Sequence, residues 1–374
     1  MLADHDSNYI KRVGQILFDK KTLNEYEINV LNLFFIHATM NKFNKENTSI
    51  LLTNNEFLLK NRLKLYKHVN YISKGIKEYL DIVTVNEARE FIGLFLRYND
   101  IYLLTANPES NSQYGCNRGL WYWYLFRSKI PNFHVGALID EPFLDAISTR
   151  FVYLLRSVDE IGFQYYKGVN NDTLDDMMYH FNYSISLITG IFDSLALVAR
   201  NKYSLEYRGD DIPQRTSLNP KAGKDFLRAL REENLELREH IQDFVNIIKL
   251  VYKLRELVVH GKLLGKSRFS RGLWEMNVLK SDKSILMYFP ENNRRQKYKP
   301  LTEWGLYILN DEFVLVEPFD FIKRLLKLLF NFTNEYLRLL EFNDFIEELR
   351  SNNNNDNFVK GIDLLKEDSL SLWL

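Results

Sequence analysis

Cysteine, net charge and long apolar runs are what this chain has least of, and each shortage removes a class of protein. A single cysteine, Cys116, in 374 residues excludes an internal disulfide framework and any zinc site built from several thiolates, and it fits a reducing cytosol. Its expected place is that of a small, half-buried residue. The 49 Lys and Arg balance 49 Asp and Glu, so a bulk nucleic-acid coat and polybasic membrane adhesion are both excluded, and affinity for phosphate has to come from local patches. The longest apolar run, Ile185 to Ala199, is too short to span a bilayer. The opening residues MLADHDSNYIKR carry both signs of charge with no apolar stretch behind them. A soluble cytoplasmic protein with no membrane partner is expected. Common enzyme signatures are missing too: no G-x-G-x-x-G after a strand, no G-x-x-x-x-G-K-[ST], no G-x-S-x-G and no H-E-x-x-H. No metal-ligand constellation stands out, since Asp172, Asp175, Asp176 and His180 read as a helix N-terminus with its capping acids. Neither a metal nor a cofactor is expected.

What remains is ample material for packed cores, with 46% hydrophobic and 14% aromatic residues. The length exceeds what one core usually supports, so two domains are the starting point. Helical spacing is expected over 7–44 and 54–79, followed by short β-rich pieces at Asp81–Val85, Ile101–Thr105, Leu120–Phe126 and His134–Ile139. These make residues 1–141 a small α+β region, with a role as sensor or substrate-selecting part. Within it, Gly119 to Phe126 is crowded with aromatics on both faces. That pattern fits either base-stacking platforms or a strand buried on both sides. From Pro142 the chain turns strongly helical, over 142–166, 173–204, 221–234, 235–261 and 318–349, as in an antiparallel helical bundle. A β-hairpin-type insertion at about 271–317 interrupts it, with strands expected at Trp274–Leu279, Ser284–Phe289, Leu306–Leu309 and Phe313–Val316 and a tight turn at Asn310-Asp311. The loop Glu291–Pro300 holds Arg294, Arg295, Lys297 and Lys299, either as a solvated turn or as a phosphate-contacting loop. Residues 350–374 read as a polar linker and tail. The fold class expected is mainly α, a bundle over 142–349 preceded by the smaller α+β region.

One stretch, Phe244 to Gly261, reads FVNIIKLVYKLRELVVHG and carries Arg255 and His260. It has helical periodicity, and Gly261 supplies a stop. At about 100° per residue, Phe244, Ile248, Val251 and Val259 fall within roughly 40° of Arg255, which places the guanidinium in the middle of the apolar stripe. A buried unpaired charge is costly, so that face either meets something acidic or lines a wet cleft. On the helix expected over 173–204, Asn182, Ser186, Thr189, Asp193 and Arg200 lie near one line. Small polar groups of this kind suggest a half-buried groove rather than a freely solvated face. Asp193 is the natural anionic partner of Arg255, as a structural ion pair or as part of a site. His260 follows Glu256 by four residues, so the carboxylate can hold its ring, and the helix end favours its charged form. Arg255 and His260 diverge by roughly 140° on a straight helix. Their convergence on one substrate therefore points to a second copy of the helix and a homodimer.

The string Leu254-Arg255-Glu256-Leu257-Val258-Val259-His260-Gly261, late in a helical bundle, resembles the signature of the HEPN superfamily: an Arg, a polar residue, and a His four to six residues after the Arg. The resemblance covers about 142–261 and extends at most to 349. Glu256 stands where the family often has Asn or Asp. The resemblance implies a HEPN-like bundle, often a metal-independent ribonuclease of toxin or antiviral-defence systems, whose active site forms where two such helices meet. RNA supplies its own nucleophile, the 2′-hydroxyl, so cleavage needs a base, an acid and a cation on the phosphorane. His260 suits the first two roles and Arg255 the third. Glu256 and Asp193 complete the catalytic candidates. Asn182, Ser186, Thr189, Arg200, Arg294, Arg295, Lys297 and Lys299 are the candidate RNA contacts. RNA, a second copy of the chain, and an antitoxin or trigger protein are the expected partners. The competing expectation is a non-catalytic scaffold or RNA/nucleotide-binding module in which Arg255 pairs with Asp193.

Overall fold

A computed structural model describes residues 23–43, 48–59, 61, 65, 79–107, 112–133, 142–166, 171–206, 215–259, 265–266, 279–289, 304–308 and 312–340. The chain divides into two compact units, one formed mainly by residues 1–95 and the other by residues 96–372 apart from 270–272.

In the first unit, α1 (Glu25–Phe43) and two parallel strands, β1 (Thr48–Leu52) and β2 (Tyr79–Val83), precede α2 (Val85–Tyr98), which runs across the division between the units. Reciprocal caps start both helices. Asn24 and Glu27 exchange backbone-to-side-chain hydrogen bonds at the head of α1, and Thr84 and Glu87 do the same for α2. Leu31, Phe34, Leu58, Leu65 and Ile82 form the core of this unit. Helix α2 has no counterpart among the elements expected from sequence. The strand expected over 81–85 ends at Val83, and the Thr84-x-x-Glu87 capping box turns the chain into a helix at once.

The second unit continues with an antiparallel pair, β3 (Leu103–Asn107) and β4 (Ser112–Gly115), and then α3 (Arg118–Lys129). The aromatic run expected as a strand at Leu120–Phe126 is therefore helical. The Asn117 side chain accepts from the Leu120 amide at 2.8 Å and nucleates the helix. Trp121, Tyr122, Leu125 and Phe126 form its buried face, which overturns the two-sided strand, while Trp123 and Tyr124 are half-buried. Cys116, just before α3, is a half-buried free thiol, as expected.

Helices α4 (Pro142–Tyr166) and α5 (Asn171–Lys202) pack against each other along their length and form the centre of the unit. Taken whole, α5 has the length and hydropathy of a membrane span, and most of that apolar window is buried inside the protein. Three shorter helices follow: α6 (Lys224–Glu233), α7 (Leu235–Asp243) and α8 (Val245–Val259). The single helix expected over 235–261 is broken at Phe244, which caps α7 and packs on His240 and Phe332. A four-stranded antiparallel sheet, ordered β5 (Gly265–Lys266), β6 (Leu279–Asp282), β8 (Phe313–Val316), β7 (Leu306–Ile308), separates α8 from α9 (Pro318–Leu339). The β-type insertion is thus present, with two differences: of the strand expected at Trp274–Leu279 only Leu279 lies among the described residues, where β6 runs on to Asp282. The strand expected at Ser284–Phe289 is instead a 3-10 helix, Lys283–Tyr288, started by Asp282, whose side chain accepts from the Ser284 amide at 2.7 Å. The expected strand at 134–139, the turn at 310–311, the loop at 291–300 and the tail lie outside the described residues. The mainly helical class holds, with small sheets.

Candidate functional site

Helix α8 lies against α5 and presents Arg255 four residues before its end at Val259. The guanidinium is exposed and stands at the edge of the helix's buried face, not in its middle as the sequence arithmetic placed it. The reason is in the pattern itself: Ile247, Leu250, Leu254 and Leu257 are buried and centre that face on Leu254, so Ile248, Val251 and Arg255 mark one margin of it. Val259, on the same margin, is 62% exposed.

Asp193 faces α8 from α5, but its bonded partner is not Arg255. The Tyr252 hydroxyl donates to Asp193 Oδ1 at 2.6 Å. Ser217 Oγ lies 3.0 Å from the same tyrosine oxygen and accepts from the Asn219 amide at 3.2 Å. Among the described residues no ion pair joins Asp193 to Arg255. The expected pairing gives way because Tyr252, one turn earlier on α8, reaches the carboxylate first and leaves the arginine at the rim. Arg255 still acts on Asp193 through its field, as does Arg150 of α4. Burial nevertheless dominates and raises the Asp193 pKa above the usual carboxylate value. Burial, with the Asp193 charge behind it, also pushes the Tyr252 hydroxyl up, so the tyrosine remains the proton donor of the pair.

Two glycines make this arrangement possible. A Cβ on Gly190 would meet Arg150 Nε at 2.7 Å, so the bare backbone is what lets the Arg150 side chain lie across α5 and donate to Ser194 Oγ at 2.6 Å. A Cβ on Gly223 would stand 1.7 Å from the Ser217 carbonyl oxygen. That close approach seats the loop that carries Ser217 to Tyr252.

The remaining sequence candidates scatter. The polar line on α5 does not stay on one surface: Asn182 is half-buried, Ser186 is exposed, and Thr189 is buried with its hydroxyl donating to the Ile185 carbonyl at 2.8 Å. Arg200 is half-buried at the far end of the helix. These residues follow α5 from its exposed margin to the region under Tyr252, so the line crosses from solvent into packing instead of lining one groove. Glu256 is exposed and accepts from Lys253 Nζ at 3.1 Å. His260, Arg294, Arg295, Lys297 and Lys299 lie outside the described residues. Sequence reasoning missed Arg150, Tyr252 and Ser217. Tyr252 could have been found, since it lies on α8 three residues before Arg255, but a tyrosine in an apolar helix reads as core. Among the described residues no cluster of His, Cys, Asp and Glu could hold a metal ion.

Comparison with protein-family models, with curated proteins and with solved structures finds no match in any of the three.

Proposed function

We propose that this chain is a HEPN-like endoribonuclease that cleaves RNA without a metal by attack of the RNA's own 2′-hydroxyl, acting as a homodimer in a toxin or antiviral-defence role. The observation that supports it best is the exposed Arg255 at the rim of a half-buried Asp193–Tyr252–Ser217 network, five residues before His260. In this reading Arg255 holds a non-bridging oxygen of the scissile phosphate. His260 removes the proton from the 2′-hydroxyl as the 2′-oxygen bonds to phosphorus. As the bond to the 5′-oxygen breaks, the histidine of the second copy protonates that oxygen. The products are a 2′,3′-cyclic phosphate and a 5′-hydroxyl. Asp193 sets the field beneath the phosphate, and Arg294, Arg295, Lys297 and Lys299 extend the phosphate track. The biological role follows from the resemblance alone.

Wild type, Arg255→Ala and His260→Ala incubated with total RNA in EDTA decide the matter. Cleavage by wild type alone, with cyclic phosphate ends, supports the proposal, and intact RNA in all three lanes ends it. Light scattering on the same preparation should give a dimer; a monomer that cleaves would remove the shared site. One observation favours a second reading, a non-catalytic RNA or nucleotide-binding scaffold: the Glu256 carboxylate is engaged by Lys253 at 3.1 Å, away from the role of holding the His260 ring. That reading predicts RNA binding without cleavage.

A further inference from the structure

Helix α3 has two faces of different character. Trp121, Tyr122, Leu125 and Phe126 are buried; the Tyr122 hydroxyl donates to Asp159 of α4 at 2.7 Å, and Phe126 stacks on Phe151 of α4 with ring centres 5.1 Å apart. Leu120, Trp123, Tyr124 and Arg127 fall within about 100° of arc on the opposite side. Leu120 is 40% exposed and the other three are half-buried. The Arg127 guanidinium carbon lies 4.3 Å from the centre of the Trp123 ring, and Tyr124 meets the same ring edge to face with centroids 5.4 Å apart.

Charge on this helix is all of one sign, since Arg118–Lys129 contains no acidic residue. Arg118 is spent on Glu160 at 2.9 Å. Among the described residues no carboxylate bonds to Arg127 or Lys129, and the Arg127 Nε is buried without a hydrogen-bond partner. A helix C-terminus favours cations, which accounts for Arg127 and Lys129 by their position. It does not account for two large aromatic rings on the outward face beside them. A cation with no acid nearby on its helix attracts an anion, and indole, phenol and guanidinium planes are the surfaces on which unpaired bases stack. Because α3 packs on α4 while α8 packs on α5, this face is separate from the rim that carries Arg255.

We propose that the outward face of α3 binds single-stranded RNA, with Trp123 and Tyr124 stacking a base and Arg127 holding the adjacent phosphate. This rests on the RNA reading above and adds to it a second contact surface on a different helix. Trp123 fixes the plane of the Arg127 guanidinium, so that its Nη groups donate to the phosphate with little ordering left to do.

The test reads binding apart from cleavage. A fluorescein-labelled 12-nucleotide oligouridylate with 2′-O-methyl groups cannot be cut by its own 2′-oxygen, and its anisotropy reports affinity in EDTA at several salt concentrations. Arg127→Ala should weaken binding about tenfold and reduce the salt slope by about one unit. Trp123→Leu should weaken it by about the same factor with the slope unchanged, and Trp123→Phe, which keeps a ring, should retain most of the affinity. On an abasic strand of equal charge, Trp123→Leu should match wild type while Arg127→Ala still binds more weakly. Arg228→Ala, on the exposed surface of α6 beside Asp225, should change nothing. Thermal melts confirm that each variant is folded, and Arg127→Ala carries the test if Trp123→Leu does not fold. Wild-type affinity in the folded α3 variants, with loss in Arg255→Ala, overturns this surface and spares the RNA reading. Polyglutamate that displaces the strand as well as unlabelled oligouridylate does would assign the face to an acidic protein and overturn the proposal. Intact RNA in the cleavage assay together with Trp123-dependent binding ends the nuclease and upholds the surface. Wild type that binds no oligonucleotide ends both.

Discussion

Asp159 on α4 and Asp193 on α5 each accept a hydrogen bond from a tyrosine, at 2.7 Å from Tyr122 and 2.6 Å from Tyr252, yet only Asp159 also holds an arginine. Arg97 donates to both of its oxygens, Nε to Oδ2 at 2.5 Å and Nη2 to Oδ1 at 2.7 Å. The same guanidinium stacks over Trp121 at 4.8 Å, and the Tyr102 hydroxyl donates to the Arg97 carbonyl at 3.2 Å. Both charged residues are 7% exposed. Every strong donor around Asp159 is spent within the protein, so the grouping serves to fasten the last turn of α2 and helix α3 onto α4. Around Asp193 the tyrosine takes the carboxylate and the arginines remain at the margin. The same three residue types thus give a closed structural pair where the site is dry and an open, charged rim where it meets solvent. Burial with complete pairing marks Asp159 as structural, and the Asp193 network, which meets solvent, is the one on which the proposed function rests.

The largest effect that would break this contrast is on stability. Arg97→Ala leaves Asp159 buried and charged and should cost about 3–5 kcal/mol in denaturant unfolding of the second unit. Arg255→Ala, at an exposed position, should stay within about 0.5 kcal/mol. A reversal of these two would show that the open rim, not the buried pair, is the structural one. Gly223→Ala should come next, at roughly 1–3 kcal/mol. It forces the loop away from the Ser217 carbonyl, and under the proposed function RNA affinity should fall with it because Tyr252 loses its brace.

Smaller and more diagnostic is Asp193→Asn. The folded-state pKa of Asp193 lies above its unfolded value, so ionisation of this group costs stability and the cost is fully present above the raised pKa. The neutral amide of the variant escapes that cost and can still accept from Tyr252. The variant should melt on the order of a few degrees above wild type at pH 8, and the gap should close as the pH falls through the raised pKa toward the unfolded one. A gap that is constant with pH would remove the charge argument.

Much of the bundle was legible in the sequence because its helices are long and periodic. The starts of α4 and α9 agree with the proline positions, Pro142 and Pro318, each of which suits a first helical turn. The strand Phe313–Val316 was read to the residue. The misreadings lie where a local cap decided the element. Trp121 to Phe126 is rich in residues that favour strands, and composition outweighed the single Asn117 cap that makes it a helix. Val85–Tyr98 was missed although both its Thr84-x-x-Glu87 box and its helix-forming Ala, Glu, Leu and Arg residues were in plain view. At the site, Arg255 and Asp193 could be found as charges placed where apolar residues were expected. Their partners could not, because nothing in the spacing of residues 193, 217 and 252 says that they meet.

Sequence by itself determined the helical class, the β-type insertion before α9, the lone thiol and the balance of charge, since these depend on composition and on periodicity within one element. Only the tertiary structure decided who pairs with whom. Hydrogen bonds and ion pairs fall off within a few ångströms, and which side chain reaches a carboxylate first depends on how α4, α5 and α8 lie together. That packing gave Asp159 to Arg97 and Asp193 to Tyr252, and among the described residues it gave Arg255 no carboxylate partner.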